Sequence, residues 1–90
     1  MASCKIKVKV TLEIEGANFG EGYDIAFTHE NMRYIGCIKR ILLDDGDKVA
    51  LLLNNVEVRK VGDPPKSATY KDLLYVIVDD ISDISYVVVD

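Results

Sequence analysis

Two carboxylate clusters are where chemistry could first sit in this chain: Asp44, Asp45 and Asp47, then Asp79, Asp80 and Asp83. Grouped carboxylates offer hard oxygen ligands to Mg²⁺ or Ca²⁺. A close pair with separated pKa values can also serve as acid and base. Neither cluster has the spacing of an EF-hand loop, because no glutamate closes it. Aspartate is equally a turn residue, and turn formation is what the spacing favours, so no metal and no cofactor is expected. His29, the sole histidine, falls in a His-Glu-Asn turn with no further ligands converging on it, and reads as solvated. Cys37 lies in an apolar run with no base beside it and reads as a small core residue rather than a nucleophile. Cys4 is the only other cysteine, and two make no disulfide framework. The glycines of residues 16–22 lack the GxxxxGK[ST] spacing and lead into Tyr-Asp-Ile-Ala-Phe rather than a helix. They read as a plain connection with Phe19 packed down. Nothing here points to catalysis, and no enzyme is expected.

Basic and aromatic residues supply the remaining chemistry. Lys5, Lys7 and Lys9 form one stripe, and Arg33, Tyr34, Lys39 and Arg40 fall on one apolar run. Cations that track a phosphate backbone, with a ring to stack on a base, suit RNA or single-stranded DNA. The global charge does not help: the net charge is −4. Six basic residues face five acidic ones through Leu43, five face ten from Asp44 onward, and none is basic after Lys71. A nucleic-acid contact therefore has to use a local patch and avoid residues 79–83.

The elements that would position these residues read as strands. Ninety residues suit one domain, 1–90. Residues 5–15 alternate, with Ile6, Val8, Val10, Leu12 and Ile14 on one face and charged or polar residues on the other. That is a strand with one buried face. A short strand follows around Tyr23, Ile25 and Phe27. Residues 32–43 read as a long strand whose phase changes near Gly36. Met32 and Tyr34 share one face; Ile35, Cys37, Ile41 and Leu43 share the other. Glycine inside a strand marks a bend, a bulge or a close backbone approach. Residues 44–47 read as a hairpin turn, and the next run changes phase at Asn54-Asn55, a turn or a bulge. Pro64-Pro65 ends that run. Residues 72–78 and 84–89 are apolar on both faces, so both faces must be covered. With no helix to do this, the second cover is expected to be another copy of the chain. The interface residues are Leu74, Val76, Val78, Ile84, Tyr86, Val87, Val88 and Val89. The N-terminus has no h-region and no apolar run approaches membrane length, so no membrane contact and a reducing cytoplasmic location are expected.

The order of parts resembles the Sm/LSm family of small β-barrels. Gly36-x-Ile38-x-x-Ile41 resembles the start of the first Sm motif, and residues 49–57 resemble its strand and the acidic residues after it. Residues 75–86, Tyr-Val-Ile-Val-Asp-Asp-Ile-Ser-Asp-Ile-Ser-Tyr, resemble the strand, turn and strand of the second motif. The resemblance covers about residues 23–89, in pattern more than in identity. It implies an all-β, small closed antiparallel barrel with a strongly bent second strand, here with an extra N-terminal strand. It also implies fourth and fifth strands that pair between subunits into a cyclic homo-oligomer, pentamer to heptamer. The turn at residues 44–48 is longer than the family's and has no matching asparagine, and Val78-Asp79 stands where the family has Arg-Gly. The family's base-holding asparagine and arginine are therefore not carried over. SH3-like and OB-like barrels share the antiparallel scheme. The expected function is a ring-forming protein with an RNA or single-stranded nucleic-acid role, or else an oligomeric adaptor without one.

An all-β chain is expected to show a far-UV circular dichroism spectrum without helical character; a helix-dominated spectrum would contradict this reading.

Overall fold

The structure is a computed structural model that describes residues 11–44 and 46–87. Seven antiparallel strands run through them: β1 (Thr11–Ile14), β2 (Ala17–Gly20), β3 (Asp24–His29), β4 (Met32–Leu43), β5 (Val49–Lys60), β6 (Thr69–Ile77) and β7 (Ser82–Tyr86). One-turn 3₁₀ segments, Pro65–Ser67 and Val78–Asp80, precede β6 and β7. β1 and β2 form a hairpin of their own. The other five make one sheet in the order β6-β5-β4-β3-β7. The chain is all-β as expected, but no ladder joins β6 to β7 among the described residues, so the sheet is open where a closed barrel was expected.

The long β4–β5 hairpin carries the core, and it does so by slipping register twice. Ile35 faces Glu57, but Cys37 faces Asn54, so β5 holds one extra residue there. Ile38 then faces Leu53 while Arg40 faces Leu52, so β4 holds one extra residue, and the two slips cancel. Each slip re-phases its own strand. On β4 the inward set runs Tyr34, Gly36, Ile38, then skips to Ile41; on β5 it runs Leu51, Leu53, then skips to Val56 and Val58. Ile38, Leu51, Leu53 and Val56 are fully buried. The phase change expected at Gly36 thus falls at Lys39 on β4, and that at Asn54-Asn55 is a bulge, with Asn55 at φ 52°. In consequence Ile38, not Cys37, is the core residue; Cys37 is half-buried on the opposite face. Among the described residues, the buried side-chain oxygen of Asn54 has no hydrogen-bond partner. Gly36 sits against this bulge. A Cβ placed there would lie 3.0 Å from Val56 Cγ2 and 3.4 Å from the Asn54 carbonyl oxygen.

Tight turns close the other hairpins. Glu30 and Asn31 take φ 48° and 65° between β3 and β4, the two-residue geometry whose twist matches paired strands. His29 is therefore the last strand residue, not part of the turn. Glu15 and Gly16, at φ 52° and 81°, make the same kind of turn between β1 and β2. Residues 16–22 are thus no simple loop: Ala17–Gly20 is a strand with Leu12 facing Phe19. Phe19 is buried as expected, and Leu12, Ile14 and Ala17 pack on the same core. The Tyr86 hydroxyl donates to the Asn18 carbonyl, and its ring lies 4.7 Å from that of Phe19, fastening this hairpin to β7. Residues 5–10 of the expected N-terminal strand lie outside the described residues.

Gly36→Ala is expected to lower stability by about 1–3 kcal/mol in urea unfolding, the cost of overpacking. In a Val56→Ala background the penalty is expected to shrink, because the opposing methyl is gone. Equal penalties in both backgrounds would contradict the close approach.

Candidate functional site

The chemistry-bearing residues fall on the outer face of the sheet and along its two open edges. Directly facing residues of neighbouring strands share a face, so the register sorts them. Arg33 faces Thr28 on β3 and Arg59 on β5. Its guanidinium donates to Thr28 Oγ1 at 3.1 Å, to the Asp83 carbonyl at 2.8 Å and to Ser85 Oγ at 3.4 Å. Arg33 is thus a clamp that ties β7 to β3, in a concavity it shares with Arg59, Asp63 and Asp83. Tyr34 faces the other way, stacked on Phe27 with ring centroids 5.2 Å apart. The patch expected from Arg33 and Tyr34 does not form, because consecutive strand residues point to opposite faces. Lys39 and Arg40 do come together. The extra residue on β4 leaves both exposed between inward-facing Ile38 and Ile41. Lys5, Lys7 and Lys9 lie outside the described residues.

The expected interface residues divide in the same way. Leu74, Val76, Val78 and Ile84 pack against the core, so their side chains are spent within one copy. On β6 the exposed large apolar side chains are instead Tyr70 (74%), Leu73 (53%) and Tyr75 (50%). Tyr86 is engaged with Phe19, and Val88 and Val89 lie outside the described residues. The Val87 N–H donates to the Asp24 carbonyl at 3.1 Å, which makes that facing pair a hydrogen-bonded one. Antiparallel ladders alternate, so the next pair, Ile25 and Tyr86, directs the Tyr86 N–H and C=O at the open edge. Farther along, β7 carries one extra residue between Ser82 and Ser85, with Asp83 at φ 52°, which confines any straight edge to its last residues.

Among the described residues neither acidic cluster builds a site; Asp45 lies outside them. Asp44 Oδ1 accepts from the Gly46 and Lys48 N–H groups at 2.9 and 3.0 Å, and its carbonyl accepts from Asp47. That carboxylate is committed to the turn. Among the described residues no group of His, Cys, Asp and Glu converges as metal ligands. His29 is not simply solvated: its Nδ1 donates to the Asp80 carbonyl at 2.8 Å, joining the end of β3 to the 3₁₀ turn before β7. Burial, and after it the neighbouring Asp24 carboxylate, pushes the Cys37 thiol upward, so at neutral pH it is held as the weakly nucleophilic thiol. No helix among the described residues is long and apolar enough to cross a membrane.

Sequence reasoning missed Leu52, Arg59, Leu73 and Tyr75. Strand β6 is apolar on both faces, so alternation alone does not say which set points inward; only its register against the bulged β5 does. No family model, curated protein or solved structure matches the chain.

Arg33→Met is expected to cost about 1.5–3 kcal/mol of stability, the scale of hydrogen bonds involving a charged group, measured by denaturant unfolding. Unchanged stability would contradict the clamp.

Proposed function

We propose that this chain is a self-assembling module of Sm-like architecture, which pairs β6 of one copy with β7 of the next into a closed ring. One observation carries this: among the described residues the five-stranded antiparallel sheet ends in two open edges, β6 and β7. From Gly22 onward the parts follow the order the family resemblance implied. A strand precedes the bent β4, then come a turn, a long strand, a loop, a strand, a one-turn connection and a short strand. The two strands that the family pairs between subunits, the fourth and the fifth, are the two left open here.

Edge physics supports the same reading. β6 is nine residues long, contains no proline, and exposes Leu73 and Tyr75 beside its open edge. Beyond Lys71 and Asp72 this edge carries no charge, and an edge of this kind pairs with another chain unless something covers it. Joining two different edges head to tail is a heterologous contact, and closes into a ring when the rotation per copy divides a full turn. About five to seven copies is the range the family resemblance implies. Such a ring is a platform, and its outer sheet face is what each copy presents to a client.

Light scattering on purified protein is expected to give about five to seven times the 10.0 kDa chain mass. The particle is expected to hold together in high salt, because main-chain pairing is not an ionic contact. A monomer at high protein concentration would overturn the proposal.

A further inference from the structure

We infer that the concavity between the outer face of β3–β4–β5 and the turn after β5 binds a small zwitterion, an apolar α-amino acid. Arg33 and Arg59 take its carboxylate, and the flanking Asp63 and Asp83 attract its ammonium group. The inference needs only the fold of one copy, not the ring.

The register builds the floor. Arg33 and Arg59 face each other across β4 and β5, so both stand on one face with Cβ atoms about 5 Å apart. Thr28 faces Arg33 from β3. The space these residues share with the two aspartates is about 570 Å³, the size class of small-molecule pockets. Its walls are fixed by the backbone. On one side the Val61 N–H donates to the Asn31 carbonyl at 3.1 Å, and the Asp63 N–H to the Lys60 carbonyl at 3.0 Å. Gly62, at φ 92°, lets the chain turn there. On the other side the Asp83 carbonyl accepts from Arg33 at 2.8 Å.

Electrostatics says what the space would take. Like charges set directly opposite on neighbouring strands repel, and among the described residues no carboxylate neutralises this pair: the ion pair found is His29 with Glu30. Arg33 directs three N–H groups to Thr28, the Asp83 carbonyl and Ser85. A guanidinium has five donors, so two are left for a ligand on a head that is already held in place. A carboxylate is the planar two-oxygen group that a guanidinium fork matches. Asp63 and Asp83 line the same concavity, and the four side chains sum to zero charge. A plain anion gains from the arginines but is repelled by both aspartates; a chain of phosphates is repelled more. A zwitterion meets both signs. Val61 lines the wall and is 48% exposed, which gives an apolar side chain a surface to lie on.

Isothermal titration calorimetry with three probes of one shape tests this: L-valine, 3-methylbutanoate, which lacks the ammonium, and isobutylamine, which lacks the carboxylate. L-Valine is expected to bind, and each half-charged probe to bind roughly 10-fold more weakly or worse, the scale of one lost charged hydrogen bond. Arg59→Gln is expected to weaken L-valine roughly 10- to 150-fold on the same scale. Asp63→Asn with Asp83→Asn is expected to abolish the preference for L-valine over 3-methylbutanoate. None of these changes removes the Arg33 clamp, and asparagine accepts the φ of 52° at position 83. Urea unfolding is expected to show the variants as stable as the parent, so that lost binding is not lost folding. The probe comparison on the unaltered protein stands without any variant. 3-Methylbutanoate bound as tightly as L-valine, affinity unmoved in Arg59→Gln, or no binding of L-valine at millimolar concentration would overturn the assignment.

Discussion

The structure depends on two one-residue bulges that cancel. Side chains alternate along a strand, so a single extra residue sends everything beyond it to the other face. On β5 the extra residue at Asn55 moves the inward set from Leu51 and Leu53 to Val56 and Val58; on β4 the one at Lys39 moves it from Ile38 to Ile41. Each strand alone would be a misfit, but the pair keeps one continuous apolar face through two twelve-residue strands. Bulges also raise the local twist, which a long hairpin needs if its two halves are to enclose the same core. Gly36 is the condition for this, because a side chain there would enter the space held by Val56.

The same device shapes what the outside of the molecule offers. Re-phasing β4 pushes Lys39 and Arg40 outward together, and the register carried across β5 sets Tyr75 in their row. At the far edge, β7 is held by Arg33 through Thr28, Asp83 and Ser85, and by Tyr86 against the β1–β2 hairpin. Fixing β7 this way leaves its last residues as a defined edge. β6 lies at the opposite limit of the sheet. An open sheet with two well-formed edges is a different object from a closed barrel, since it has pairing capacity left for a second chain.

Much of this was legible in the chain. The boundaries of β4 and the turn that follows it were set by strong punctuation, the Glu30-Asn31 turn at one end and the Asp-Gly pair at the other. The turn role of Asp44 followed from aspartate chemistry. What escaped the sequence were the facts that depend on register. Gly36 signalled a disturbance, but the disturbance on its own strand falls three residues later, at Lys39, so Ile38 and Cys37 exchanged places. The pairing of Arg33 with Tyr34 in one patch failed for the simplest reason, that adjacent strand residues diverge. Strand β6 offered no alternation to read, and its inward set became clear only against β5. The β1–β2 turn escaped because glutamate is an uncommon first residue for a positive-φ pair.

An edge completed by a second copy is the central claim, and the Tyr86 backbone amide tests it most directly. Within one copy that N–H points at the open edge and has no ladder partner among the described residues, so in an isolated chain it is expected to exchange as a surface amide does. Residue-resolved hydrogen exchange on the native protein is predicted to show Tyr86 protected to the level of Val87, whose amide is bonded to Asp24 within the copy. Fast exchange at Tyr86 alongside a protected Val87 would contradict the account.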